Sequence, residues 1–188
     1  MNNMIVLPMI IPIMTGIFLV FLRDYIKLQR IVSLVTMLFV TVVSFVLLQT
    51  VQTDGILKLD FSGWAPPFGI LFVADSFAVL LVLTASIVTA ICLVYAISTI
   101  GARHERMFFY PFVMFLIAGV NGSFLTGDIF NLFVCFEVML LASYVLVALG
   151  GERVQLRESL KYVLINIVAS WMFLVALAFL YGTVKTLN

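Results

Sequence analysis

Charge is the scarcest thing in this sequence. Only 10% of its 188 residues are Asp, Glu, Lys or Arg, against about 25% in a soluble domain. A folded domain must solvate its outside, so a water-exposed surface cannot be built from so few charges. The lysines and arginines form no run, which leaves no nucleic-acid footprint. The two cysteines, Cys92 and Cys135, lie in apolar stretches without CxxC or Cys/His spacing. They read as small lipophilic residues, not as a disulfide or a metal site. There is no glycine-rich dinucleotide fingerprint and no cysteine cluster, so no cofactor is expected. The start, MNNM, lacks a positive n-region, and the first apolar run is too long for a signal-peptide core. That run is expected to stay as a membrane span.

What is abundant is apolar surface. Hydrophobic residues make up 64% of the chain and the mean hydropathy is +1.26. About 20 apolar residues cross the roughly 30 Å of bilayer hydrocarbon. The charges divide the chain on that ruler into six runs: 4–22, 31–53, 76–102, 107–127, 129–151 and 162–184. Five carry no charge, and the fifth in order carries Glu137. The spacing predicts an all-α integral membrane protein of about six helices in one transmembrane domain; a barrel would instead show alternating strands of about ten residues.

Eight of the ten basic residues lie in three connections: Arg23, Lys27 and Arg30; Arg103 and Arg106; Arg153, Arg157 and Lys161. Only Lys58 and Lys185 lie on the other side. The positive-inside rule puts the three basic loops in the cytoplasm of a cell membrane and both termini of the chain outside. The long outer connection 54–75 holds ILKLDF, which alternates as a short strand does, and a Pro66-Pro67 pair that suits a turn. A small hairpin capped by Trp64 and an irregular loop are both compatible with it. In the loop GGERVQLRESLKY, Gly150 and Gly151 suit a helix C-cap. Small residues spaced four apart, Ala118 with Gly122 and Gly119 with Ser123, suit close helix packing in lipid, as do Ala85 with Thr89 and Ser86 with Ala90.

Glu137 is the ionisable residue that a membrane span should not contain. It lies nine residues past Asp128, roughly 13 Å of helix and near the middle of a core about 30 Å thick. A carboxylate there costs several kcal/mol, so such a residue reads by default as functional. It can exist as the neutral acid, favoured by desolvation, or pair with a cation or water inside a bundle. Either state makes it a candidate proton-binding site; a neutral interhelical hydrogen bond is the structural alternative. Its helical neighbours Phe130, Phe133, Val134, Leu140, Leu141 and Tyr144 include no cation. The antiparallel last span brings Ser170 or Trp171 to similar depth, with Asn166 nearer the basic loops. Lys161, the nearest lysine in sequence, belongs at the end of that span, though its long side chain can reach inward. His104, between Arg103 and Glu105, reads as a solvated histidine. Asp75 and Asp128 sit at helix starts, where carboxylates cap and complement the dipole; an entrance role for cations or protons is the other reading.

Three stretches resemble a known family: GDIFNLFVCFEVMLLASYVLVALGG, QLRESLKYVLIN and GWAPPFGILFVADSFA. They are similar to the antiporter-like membrane subunits shared by respiratory complex I and the Mrp-type multi-subunit cation/proton antiporters, with the Mrp type the nearer. The resemblance implies a bundle built from two inverted-topology repeats with broken helices. It implies that this chain corresponds to the N-terminal part of such a subunit, with the family's buried glutamate at Glu137. In the family that glutamate works with a lysine on the next, broken helix, and the resemblance implies that these 188 residues stop before it. The implied function is proton translocation coupled to sodium export, in a complex with other membrane subunits. Proton pumping in a respiratory NADH:quinone oxidoreductase is the alternative, and a purely structural membrane module is a second. No enzyme activity of its own is expected of the chain.

Overall fold

A computed structural model describes residues 3–61 and 69–187. A 3-10 turn, Asn3–Val6, leads into α1 (Leu7–Phe21), followed by α2 (Ile26–Asp54), β1 (Leu57–Asp60), β2 (Leu71–Ala74), α3 (Ser76–Thr99), α4 (Ala102–Glu105), α5 (Phe109–Leu125), α6 (Ile129–Val147) and α7 (Arg153–Val184). Among the described residues, five helical segments are long and apolar enough to cross a bilayer, and α5 is apolar but shorter. The helices follow the apolar runs but not their limits. The 29 residues of α2 and 32 of α7 extend into the polar flanks. Backbone hydrogen bonding continues past the point where the side chains stop being apolar, and α7 begins at Arg153 although its apolar run begins at 162.

The short helix is the central one. α5 packs on α1, α3 and α6, and buries Tyr110, Met114, Ile117, Ala118, Gly119, Asn121, Gly122 and Leu125. α7 touches mainly α6. Its outward surface keeps large apolar residues such as Trp171 and Phe179 more than 70% exposed, as a lipid- or protein-covered helix does.

The connection 54–75 forms the hairpin. β1 and β2 pair antiparallel with Leu57 opposite Ala74 and Asp60 opposite Leu71. Its apolar face does not hang in water. Leu57, Phe72 and Ala74 pack with Ile5, Val6, Leu47, Val51 and Leu125 to roof that end of the bundle. The Gly127 amide donates to Leu71 O at 2.8 Å, tying the hairpin to the α5–α6 connection. Trp64 and the Pro66-Pro67 turn lie outside the described residues.

At the basic end the loops are fastened by side chains. Arg30 donates twice to the Glu105 carboxylate, at 2.9 and 2.7 Å, and the Tyr110 hydroxyl donates to the same group at 2.6 Å. Glu105 is 1% exposed. Arg23 lies over the Phe108 ring, 4.9 Å from its centroid, within cation–π range. Phe108 itself holds a left-handed φ of 64° where α5 begins. His104 is half-buried, contrary to a fully solvated reading. Its Nδ1 is 3.1 Å from Ile100 O, and a side chain on Gly150 would meet its Nε2. Gly150 and Gly151 have φ of 130° and 70° but come after the cap residue Ala148. They turn the chain, while Gln155 Nε2 donates to Val147 O and Leu149 O and closes the helix end.

One buried polar contact follows from proline chemistry. Pro12, inside α1, has no N–H to give the carbonyl one turn back, at Pro8. Asn121 supplies it: its Nδ2 donates to Pro8 O at 2.9 Å, with Asn121 fully buried. Asn121→Leu should therefore destabilise the native protein, yet be nearly neutral in a Pro12→Ala background, where the helix provides its own donor. Thermal unfolding of the four variants should give a coupling of about 1 kcal/mol; additivity would refute this account.

Candidate functional site

The position of Glu137 is set by α5. A Cβ on Gly119 would lie 2.8 Å from both the Cys135 carbonyl oxygen and the Met139 amide nitrogen, so only glycine lets the two backbones meet there. Cys135 and Met139 bracket Glu137. With that side of α6 closed by α5, the Glu137 side chain is directed at α7. There Ser170 Oγ donates to Glu137 Oε1 at 2.5 Å. Of the two residues expected at this depth, Ser170 faces Glu137, and Trp171, 73% exposed, turns outward.

α6 and α7 run antiparallel and meet at three levels. Toward the hairpin end, the rings of Phe133 and Phe173 are stacked, with centroids 5.9 Å apart and planes 11° apart. In the middle are Glu137 and Ser170. Toward the basic end, Tyr144 and Tyr162 meet edge-on at 5.4 Å, and Ser143 Oγ is 3.4 Å from the Tyr162 hydroxyl. A cavity of about 250 Å³ opens on the seam; its polar lining is Glu137, Ser170 and Asn166, and its apolar lining includes Phe133, Leu140 and Phe173. Asn166 Nδ2 donates to Tyr162 O at 2.8 Å.

Among the described residues the ion pairs are Arg30–Glu105 and Lys161–Glu158, so Glu137 has a hydroxyl partner and not a cation. Lys161 is bonded to Glu158 at 2.8 Å, with both side chains more than half exposed, and such surface pairs contribute little. It lies nine residues before Ser170, roughly 13 Å along the helix. Asp75 and Asp128 are N-caps. Asp75 accepts from the Ala78 amide at 2.7 Å, and Asp128 from the Asn131 amide at 2.6 Å. Cys92 is exposed on α3 and Cys135 is buried against Gly122.

The reading of the sequence missed Glu105, which looked like one charge of a solvated loop. Its carboxylate feels burial, which would raise its pKa. The Arg30 hydrogen bonds, the Tyr110 hydrogen bond and the Arg30 charge outweigh that and hold it below the ordinary range. The partner is 75 residues away, so no local pattern could have signalled it.

Residues 126–188, which carry Glu137 and Ser170, match the family model described as "NADH:quinone oxidoreductase/Mrp antiporter, TM". The whole chain is 50% identical to the D-type subunit of a Na(+)/H(+) antiporter from Alkalihalophilus pseudofirmus, covering 100% of this chain and 38% of that one. Residues 126–188 belong to that antiporter-like membrane family. The chain is a multi-pass membrane protein, and it spans a little over a third of the length of that curated relative. Among solved structures, this chain superposes on a chain of the Mrp complex from Dietzia sp. DQ12-45-1b with a TM-score of 0.90 and 31% identity, over 100% of this chain and 36% of that chain. It also superposes on a chain of the membrane-bound sulfane sulfur reductase, an archaeal respiratory membrane complex. There the TM-score is 0.92 and the identity 26%, over 98% of this chain and 38% of the other.

Proposed function

We propose that this chain belongs to a membrane subunit of a multi-subunit sodium/proton antiporter, and that Glu137 is its mid-membrane proton-binding group. The observation that carries this is the carboxyl at the ninth residue of the 19-residue apolar helix α6, held by the Ser170 hydroxyl beside a cavity. A hydroxyl can donate to the carboxylate and can equally accept from the neutral acid, so it accommodates both protonation states without moving. A fixed ammonium or guanidinium would favour the carboxylate alone. The similarity to the D-type subunit of a Na(+)/H(+) antiporter supports sodium as the exchanged cation and other membrane subunits as partners. The basic loops at one end support a cytoplasmic position for that end in the cell membrane, with both chain ends outside.

Glu137→Gln keeps the shape and the acceptor for Ser170 but binds no exchangeable proton. In inverted vesicles holding the complete antiporter complex, it is expected to abolish sodium-dependent proton flux while the subunits still copurify. Unchanged flux would return Glu137 to a packing role. The likeness to a respiratory membrane complex favours a second reading, a proton-pumping subunit of a redox-driven complex. Copurification with iron–sulfur or flavin subunits in place of antiporter subunits would select it.

A further inference from the structure

The groove between α5 and α6 is apolar along its length and charged at one end. Val138, Leu141 and Val145 of α6 recur at intervals of three and four residues and so lie on one stripe, with Leu141 60% and Val145 37% exposed. Opposite them on α5 are Phe112 and Phe115, whose rings meet edge-on with centroids 6.1 Å apart. The stripe walls two hollows. One, of about 160 Å³, lies among these two rings, Val138 and Leu141. The other, of about 380 Å³, lies nearer the basic end, among Met107, Val145 and the Gly150-Gly151 turn, and Tyr144 is its one polar side chain. Neither shares a residue with the cavity beside Glu137, so what fills them is independent of the proton-site reading. The charge is at the basic end. Arg106, exposed, precedes Met107, and the Arg23 guanidinium lies over the ring of Phe108, which follows it. Neither arginine pairs with a carboxylate among the described residues. Glu152, after Gly151, is the acid of that rim, and Arg153 follows it.

We propose that this groove binds an anionic phospholipid, with one acyl chain along the Val138–Leu141–Val145 stripe and the headgroup phosphate on Arg106 and Arg23. The deeper hollow offers no hydrogen-bonding side chain, so a polar occupant would lie there unsatisfied and hydrocarbon does not. A helix, about 10–12 Å across with its side chains, is too thick for hollows of this size; a single acyl chain is not. Guanidinium groups hold phosphate oxygens by paired, charge-assisted hydrogen bonds, and basic residues at this face of a membrane draw anionic lipid. Arg23, stacked on Phe108, is already held in place, so little of its freedom is lost on binding. A zwitterionic headgroup brings its own cation to the same rim and gains less.

The test uses the complete complex in bilayers that contain phosphatidylglycerol with a photoactivatable diazirine in one acyl chain. Irradiation is expected to attach the lipid to the α5 and α6 peptides that carry Phe112, Phe115, Leu141 and Val145. Unlabelled phosphatidylglycerol should compete, and phosphatidylcholine and inorganic phosphate should not. Arg23→Gln and Arg106→Gln should each weaken labelling about fivefold, the scale of one basic residue near an anionic headgroup. Arg157→Gln on α7, which lines neither hollow, should leave it unchanged. Val145→Trp fills the groove and should abolish labelling, while Val147→Trp, on the same helix but outside both hollows, should not. Equal competition by phosphatidylcholine, competition by inorganic phosphate, or an equal loss in Arg157→Gln overturns the headgroup site. Labelling that survives Val145→Trp, or no label on α5 and α6 because protein covers the groove, overturns the acyl-chain site.

Discussion

Arg30→Met is expected to destabilise the protein by about 3–5 kcal/mol, the usual consequence of stripping one partner from a buried ion pair. The two halves of the pair are not equivalent. The Glu105 side chain has no exposed surface and the Arg30 side chain is 31% exposed. Losing the arginine strands a carboxylate in the interior with only the Tyr110 hydroxyl to solvate it. Losing the carboxylate, as in Glu105→Gln, leaves a guanidinium that can turn to water, so that variant should cost markedly less. The double variant Arg30→Met/Glu105→Leu should recover much of the loss. The pH dependence has a definite sign. In the native protein the Glu105 carboxyl lies below its ordinary value of about 4.5. Its contribution is therefore fully present above that value and is lost as the pH falls through the lowered one. Arg30→Met lacks that contribution already, so the gap to wild type should shrink on acidification below about pH 4.5. Thermal unfolding in lipid nanodiscs across pH measures both; a gap that widens in acid would refute the ion-pair account.

The second large effect is expected at Gly119. Alanine there places a methyl group 2.8 Å from two backbone atoms of α6. Backbone cannot swing aside as a side-chain tip can, so the helices must separate. Overpacking of this kind costs about 1–3 kcal/mol, and here the displaced segment carries Glu137. Gly119→Ala should lower the unfolding temperature and reduce proton flux together. Gly182→Ala in α7 is the control, because a Cβ there meets nothing within 4 Å. Replacing a helical glycine by alanine in open space is worth up to about 1 kcal/mol of stabilisation. If Gly119→Ala behaved like Gly182→Ala, α5 would not be what positions α6.

The membrane-spanning layout was legible because hydrocarbon imposes it. A run of twenty apolar residues has few alternatives to a helix, and the α1, α2, α3 and α6 runs show it. The anomaly of a carboxyl in an apolar helix was legible for the same reason, but its partner Ser170, 33 residues on, had to be found in the fold. The small residues of α5 announced a close contact but not its partner; Gly119 and Gly122 both turned out to face α6, and Gly122 also lies near Met9 of α1. That a new helix begins within GGERVQLRESLKY was legible, but its first residue, Arg153, was not, because its first turns are polar and carry no apolar periodicity. The pairs Asn121–Pro8 and Arg30–Glu105 were out of reach, 113 and 75 residues apart. Each is made by folding and leaves no periodic trace.

That separation of 75 residues between Arg30 and Glu105 is also an interval of time. A ribosome adding about 5–20 residues per second needs roughly 4–15 s to make the intervening chain. Through that interval Glu105 has not yet been made, and Arg30 stands at the end of α1 and α2 without its eventual partner, a positive charge of the kind that holds helix ends against being drawn through a membrane. Once the connection before α5 emerges, the same guanidinium closes on Glu105 and ceases to be an anchor. One side chain thus serves insertion first and the finished fold afterwards, and a substitution chosen to probe the first role will be read through its damage to the second.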